Sequence, residues 1–185
     1  MRSKTCGTVL IALFYLPIAH AEPFFIDSEF ANSYHFVDTY EILIERPPDV
    51  VWPQLANLAS WMGAMLHESG PVGAEGEVFR LYEGQDFFAQ IVKIVPEKML
   101  VVVNLPSSVE GEELEGISML TLTEVDGSTL VSNFMSRHFH WIGAGPDVRR
   151  ERRTSPEYKE FNREMWEEQL LPRLRELAEG AVRPE

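Results

Sequence analysis

Cysteine is nearly absent from the sequence, since the 185 residues contain only one, Cys6. It lies within the first 21 residues, which we expect to be removed, so the mature chain would contain none. A disulfide framework, a thiolate metal site and a cysteine nucleophile are therefore excluded from the mature chain. A nucleophile elbow, a phosphate-binding glycine loop and an HExxH zinc motif are missing as well. No motif supports an enzyme, and none implies a cofactor.

Basic residues are also scarce. The chain has 16 lysines and arginines against 29 aspartates and glutamates, which gives a formal net charge of −13. Lys and Arg contacts with phosphate supply most of the affinity of nucleic-acid-binding proteins. We therefore expect no nucleic-acid partner, and we interpret the negative charge as a means of keeping the domain soluble.

Long hydrophobic runs are limited to the amino terminus, where Gly7–Ile18 is too short to span a membrane. Arg2 and Lys4 precede this run, and the small-x-small sequence Ala19-His20-Ala21 follows it. This pattern predicts a secretory signal peptide over residues 1–21, cleaved near Ala21, and a periplasmic or secreted protein. An uncleaved anchor and a buried first helix are the alternatives. Removal of the segment changes the net charge to −15, because it contains two basic residues and no acidic one.

The mature chain is organised around Tyr40–Trp61. Alternation of side-chain character predicts a strand over Tyr34–Glu45, and Pro47 should end it, because proline lacks the amide proton. Apolar residues at three- and four-residue steps then predict a helix over Pro48–Leu58. A second short helix is predicted over Ala59–Leu66. Residues 22–33, ahead of the strand, are interpreted as an amino-terminal arm or a tether.

This order of elements resembles the START-related superfamily, which includes polyketide cyclases and lipid-transfer domains. The resemblance spans Tyr34 to Leu177, and we assign residues 34–181 to one START-like domain. It implies the helix-grip fold, in which a curved antiparallel sheet surrounds a long carboxy-terminal helix and the first strand pairs beside the last. The residues that carry it are Ile42, Ile44, Pro48-Asp49-Val50-Val51-Trp52, Leu55, Leu58, Trp61, Gly73–Gly76, Ile91–Pro96 and Asp126–Thr129.

The predicted fold class is accordingly α+β, with six to seven antiparallel strands and one or two short helices after the first strand. Short connections between successive strands favour antiparallel neighbours. The acidic stretch Ser107–Glu115 is predicted to be a solvated loop, and Asp126-Gly127 is a strong hairpin signal. The strands predicted after the first are Glu77–Tyr82, Phe87–Val95, Met99–Leu105, Ile117–Val125 and Thr129–Phe139.

Thr154-Ser155-Pro156-Glu157 predicts the start of the last helix, with a hydroxyl cap at Thr154 and proline in the first turn. This helix should run to about Glu179, with a kink at Pro172. Its apolar face turns along its length, as expected of a helix that lies on a curved sheet. The two predicted stripes are Tyr158, Phe161 and Met165, and then Leu170, Leu174 and Leu177.

Strands that are apolar on both faces have two interpretations, a dense core or an apolar cavity between sheet and helix that holds a ligand. Three polar residues interrupt these strands, and if they point inward they would fix the polar end of an apolar ligand. These are Arg80, Asn104 and Asn133. The aromatic residues and methionines predicted to line the cavity are Trp61, Met62, Met65, Phe79, Phe88, Met119, Phe134, Tyr158, Phe161 and Met165.

Two further groups of side chains have weaker functional interpretations. His138 and His140 share one face of a strand end but have no third ligand nearby in the sequence, so we expect no metal site. The basic run before the last helix is either a solvated turn or a transient contact with an anionic membrane surface. It comprises Arg149, Arg150, Arg152 and Arg153.

Together these features predict an exported protein that binds a hydrophobic small molecule or lipid between the sheet and the last helix. A polyketide cyclase-like or other cavity enzyme is the alternative, because such cyclases act mainly by folding the substrate and need no sequence motif. A ligand-free interaction module is the second alternative.

Overall fold

A computed structural model describes residues 33–63, 65–81, 87–105, 108–109, 112–141, 151 and 153–180. The described residues all belong to one compact unit of the chain, Ala31–Glu185. The predicted signal peptide over residues 1–21, and the predicted arm up to residue 32, lie outside the described residues.

The described residues form eight strands and a series of helical segments. The last three helical segments follow one another without a break. The strands are β1 (Ser33–Ile44), β2 (Met65–Ser69), β3 (Val78–Leu81), β4 (Phe88–Val95), β5 (Met99–Asn104), β6 (Ser108–Val109), β7 (Glu112–Val125) and β8 (Ser128–Trp141). The helices are α1 (Pro48–Ala56), α2 (Leu58–Trp61), α3 (Pro156–Glu164), a π-helical segment (Met165–Leu170) and α4 (Leu171–Gly180).

The strands form one antiparallel, curved sheet in the order β1-β8-β7-β5-β4-β3-β2, with the two-residue β6 paired to β7. The first strand pairs with the last over its whole length, from Ser33 opposite His140 to Ile44 opposite Thr129. This confirms the predicted fold class, including the return of β1 to the edge beside β8.

The predicted acidic loop over Ser107–Glu115 is wrong, because β6 and the start of β7 lie within it. Leu114 packs against the core, whereas Glu115 on the opposite face is exposed. A strand can carry acidic side chains on its solvent-exposed face as long as its other face buries apolar side chains. The sequence pattern of this stretch was therefore that of a half-buried strand.

The helices after β1 are shorter than predicted. Proline at position 48 begins α1, which ends at Ala56, and α2 covers only Leu58–Trp61. The chain then turns at Gly63, whose φ is +60°, and continues as β2 from Met65. The predicted second helix over Ala59–Leu66 is thus wrong in its carboxy-terminal half.

The last helix is capped by Ser155, not by the predicted Thr154. The Ser155 hydroxyl accepts a hydrogen bond from the Tyr158 backbone N–H at 3.2 Å. The kink expected at Pro172 stays a prediction. A π-helical segment, Met165–Leu170, lies shortly before this proline, and the Leu171 N–H donates to the Trp166 carbonyl. Because proline has no N–H to donate, the ladder is already interrupted at this point of the helix.

The inner face of the sheet, defined here as the face that carries Phe36, Tyr40 and Ile44, packs against this helix. Leu171, Leu174 and Ala178 of α4 are fully buried in the shared core. The predicted stripe is wrong at Phe161, which is 56% exposed, because Asn162 occupies the buried position instead. No helix of the described residues is long and apolar enough to cross a bilayer.

Two glycines allow a matched test of the turn that precedes β3. Gly70 and Gly127 have similar φ values of +86° and +79°. An alanine Cβ at Gly70 would lie 2.5 Å from the Gly76 carbonyl oxygen, whereas one at Gly127 meets nothing within 4 Å. We expect Gly127→Ala to lower the free energy of unfolding by about 1–2 kcal/mol through the left-handed conformation alone. Gly70→Ala should cost about 3 kcal/mol or more, because backbone must also move.

Urea unfolding of both variants measures this difference. Equal losses for the two variants would contradict the close approach of the backbone at Gly70.

Candidate ligand-binding site

The middle of the inner face carries aromatic side chains that meet the last helix. The Trp166 ring stacks on Tyr40, with 5.9 Å between ring centroids and 9° between planes. The ring of Trp61 meets Trp166 edge-on, with 6.3 Å between ring centroids. All three side chains are at most 1% exposed. Sheet, α2 and helix therefore meet at one aromatic cluster.

A second aromatic cluster lies nearer the start of α3. Tyr158 meets Phe36 and Phe139 edge-on, at centroid distances of 5.9 and 6.0 Å. The guanidinium of Arg153 lies over the Phe139 and Tyr158 rings, at 4.9 and 5.0 Å. Arg153 thus contacts aromatic rings of the site, and the other members of the predicted basic run, Arg149, Arg150 and Arg152, lie outside the described side chains. The proposed membrane contact of this run stays a prediction.

Asn133 lies on the inner face beside Tyr40 of the first cluster. In the register it stands between Tyr40 of β1 and Leu120 of β7, and it is 0% exposed. Both its amide nitrogen and its amide oxygen lack a hydrogen-bond partner among the described residues. The Trp166 indole nitrogen is buried and unpaired in the same way. A buried polar atom without a hydrogen-bond partner lowers stability by about 1–3 kcal/mol, and a bound water or ligand that pairs with these three atoms would remove that cost.

The other end of the inner face is polar. Arg137 lies on it, between Phe36 of β1 and Gly116 of β7, and is partly buried. Its Nη1 lies 3.5 Å from the Tyr158 hydroxyl oxygen. At Gly116 a Cβ would collide with Oδ1 of Asn104 and lie 3.4 Å from Cγ of Arg137. A side chain at position 116 would displace the Asn104 amide, so the glycine allows both polar side chains to approach the backbone here.

Asp38 and Tyr40 form a second polar pair on the inner face. The Tyr40 hydroxyl donates to Oδ2 of Asp38 at 3.3 Å, and Oδ1 of Asp38 accepts from the Thr39 backbone N–H at 2.8 Å. Burial raises the pKa of Tyr40 well above its usual value, and the negative charge of Asp38 raises it further. Tyr40 is therefore a neutral hydrogen-bond donor at physiological pH.

The structure places the sequence-predicted site residues on both faces of the sheet and the helix. Those that belong to the inner side or pack against the core are Trp61, Met62, Met65, Phe79, Asn104, Asn133, Tyr158 and Met165. Those that do not face it are Arg80, Phe88, Met119, Phe134 and Phe161.

The outward positions of Arg80 and Phe88 follow from the two-residue period of a strand, in which successive side chains point to opposite faces. Phe79 and Ala89 are buried, so the adjacent Arg80 and Phe88 face outward. Arg80 there forms an ion pair with Glu68 at 3.0 Å and lies over the Phe88 ring at 5.1 Å. Its charge is thus satisfied away from the inner face.

Sequence reasoning missed Arg137 and Asp38. A signal was available, since Arg137 follows Asn133 and Met135 at even spacing on one strand. Once Asn133 is taken as inward, the period of two makes Arg137 inward as well. No group of three or more potential metal ligands occurs among the described residues, His138 and His140 included.

The sheet, its closing helix and the enclosed inner face define a helix-grip fold. Solved structures with this fold include protein MLL2253 from Mesorhizobium loti, at 20% sequence identity and a TM-score of 0.55 over 80% of this chain and all of that one. Zhui aromatase/cyclase from Streptomyces sp. R1128 matches at 15% identity and a TM-score of 0.54, over 81% of this chain and 97% of that one. Ara h 8.0201 matches at 14% identity and a TM-score of 0.53, over 80% of this chain and all of that one.

At these identities the likeness establishes the fold and nothing finer. No protein-family model matches the chain, and no curated protein is similar to it at a significant level.

Because the Asn133 amide is unpaired, its replacement is expected to change the stability of the protein. The matched control is Asn162, which is equally buried but hydrogen-bonded. Asn162 is 1% exposed, but its Nδ2 donates to the Tyr158 carbonyl at 2.7 Å. In ligand-free protein we expect Asn133→Leu to raise the free energy of unfolding by about 1 kcal/mol, because an uncompensated desolvation cost disappears. Asn162→Leu should lower it by about 1 kcal/mol, because a satisfied hydrogen bond is lost.

Thermal and urea unfolding after removal of bound lipid provide the measurement. Equal destabilisation by the two substitutions would show that the Asn133 amide has a partner within the protein.

Proposed function

We propose that the protein binds a hydrophobic small molecule or lipid between the inner face of the sheet and the last helix. The observation that carries this proposal is the Asn133 amide, which is fully buried and unpaired on both of its polar atoms among the described residues. Such a group is retained at a cost to stability, and a ligand that supplies its partners would recover that cost.

The surroundings of Asn133 favour an apolar molecule with one hydrogen-bonding group. The amide offers one acceptor oxygen and donor hydrogens. The unpaired indole N–H of Trp166, whose ring stacks on Tyr40, offers a further donor. Tyr40 and Leu120 flank Asn133 on the sheet. A ligand hydroxyl or carbonyl at this point can pair with the amide while the rest of the molecule contacts rings and aliphatic groups.

Binding of 1-dodecanol tests the proposal, measured by displacement of the fluorescent probe N-phenyl-1-naphthylamine. The wild-type protein should bind the probe saturably, with one site per chain. Asn133→Leu should weaken dodecanol binding about fivefold, the equivalent of one hydrogen bond of about 1 kcal/mol. Phe134→Ala is the control, because Phe134 is the next residue on β8 and faces outward, and it should change the affinity less than twofold.

Mass spectrometry of organic extracts from natively purified protein gives a second readout. A stoichiometric lipid or small molecule is expected. Absence of probe binding, or equal effects of the two substitutions, would contradict a site at Asn133. Conversion of an added ligand to a product of different mass would indicate the cavity enzyme instead.

We further propose that the protein is exported and carries its ligand outside the cytoplasm. The support is the sequence of residues 1–21, with its basic start, short apolar run and Ala19-His20-Ala21. Expression of the full chain in a Gram-negative host should give a periplasmic protein whose first residue is Glu22, as read by intact mass. Replacement of Ala19 and Ala21 by Leu should leave the precursor uncleaved. Recovery of the wild-type protein with Met1 in the cytoplasm would contradict export.

A further inference from the structure

We infer that the ligand carries a carboxylate, bound by Arg137, in addition to the group that meets Asn133. This inference rests on the proposed function, because it names the class of molecule held at the same inner face. The ligand would be an amphipathic carboxylic acid with a second oxygen group on its apolar body.

Arg137 is on the inner face by two independent criteria. Its partners in the register are Phe36, which is 1% exposed, and Gly116. Its guanidinium also reaches the hydroxyl of Tyr158, which belongs to the helix that covers this face. The guanidinium therefore lies between sheet and helix, and not on the outer surface.

The charge of Arg137 lacks a counterion among the described residues. Its one hydrogen bond within them, to the Tyr158 hydroxyl, has a length of 3.5 Å, at the limit for such a contact. The missing counterion does not reflect a shortage of acidic residues, since the sequence has 29 of them and only 16 basic ones. A partly buried cation without one is costly unless an anion binds there.

Asp38 is the acidic residue of the inner face closest to Arg137 in the register, and its oxygens are otherwise engaged. One accepts from the Tyr40 hydroxyl and the other from the Thr39 backbone N–H. Asp38 also limits the charge of the anion, because a dianionic phosphate would meet a carboxylate on the same face. One guanidinium matches one carboxylate in both charge and planar geometry.

A second polar side chain lies close to Arg137 on the inner face. A Cβ placed on Gly116 would collide with Oδ1 of Asn104 and lie 3.4 Å from Cγ of Arg137, so both side chains approach the same backbone position. An amide can donate to the second carboxylate oxygen. Asn133 lies four residues away on the same strand, about 13 Å at the rise of a β-strand. An extended twelve-carbon chain spans this distance.

The experiment compares 12-hydroxydodecanoate with 1-dodecanol in the displacement assay. In wild-type protein the hydroxy acid should bind more tightly than the alcohol. Arg137→Gln should weaken the hydroxy acid about tenfold or more, the effect of a charge-assisted hydrogen-bond pair, and should change dodecanol less than twofold. Arg137→Lys keeps the positive charge but loses the planar pair of N–H donors, so it should give an intermediate loss of hydroxy-acid affinity. Arg175→Gln, an exposed change of the same charge on α4, should leave both affinities unchanged.

The outcomes separate this inference from the proposal on which it rests. If neither compound binds to the wild-type protein, the proposed function itself fails. If dodecanol binds and Arg137→Gln leaves the hydroxy acid unaffected, only the carboxylate assignment is overturned. Tighter binding of dodecyl phosphate than of dodecanoate would overturn it as well. Retained dodecanol affinity in Arg137→Gln and Arg137→Lys shows that both variants are folded.

Discussion

The contact between Trp166 and Tyr40 is the interaction on which the rest of the structure depends. It joins the π-helical segment to the first strand, and the Trp61 ring of α2 packs edge-on against Trp166. Large aromatic groups contribute more buried area than any other side chains, so this cluster fixes the position of the helix on the sheet. The π-helical turn matters here because Trp166 is part of it, and its carbonyl accepts the hydrogen bond that replaces the regular pattern.

That aromatic cluster divides the inner face into two ends of different character. Toward α4, Ile44, Leu171 and Leu174 are fully buried and give an aliphatic core. Toward α3, the same face carries Asp38 and Arg137 beside the buried rings of Phe36, Phe139 and Tyr158, and the unpaired Asn133 lies at the cluster itself, next to Tyr40. Apolar packing occurs at both ends, and these polar groups are the features that packing alone does not require.

Much of the fold followed from local patterns. The Asp126-Gly127 turn joins β7 to β8, and Pro48 begins α1, as predicted from their turn and helix-start chemistry. Strand faces were harder, because Phe87–Val95 and Met99–Val103 are apolar on both sides, and a shift of one residue exchanges the two faces. The inward prediction for Phe88 is wrong for this reason. Phe134 is adjacent to Asn133 on β8, so the two side chains lie on opposite faces, and it is Asn133 that lies inward, as Asn104 does. The predicted buried face of the last helix is wrong at Phe161 for a similar reason. The neighbouring Asn162 is buried instead, although a polar residue is not expected at a buried position.

Arg137 shows what pairwise sequence reasoning misses. Arg137 lies between Ser136 and His138, and an arginine with polar neighbours is usually predicted to face solvent. The residues two positions away, Met135 and Phe139, are apolar and share its face of the strand. The even spacing from Asn133 indicates the face of Arg137, but the register with Phe36 and Gly116 and the contact with Tyr158 are what show that its charge lies between sheet and helix. The cost of covering a charge is a property of the assembled sheet and helix, not of any segment. A fold shared with proteins of under 25% identity establishes the arrangement of sheet and helix, whereas Arg137 and Asn133 are side chains of this chain that the shared fold does not dictate.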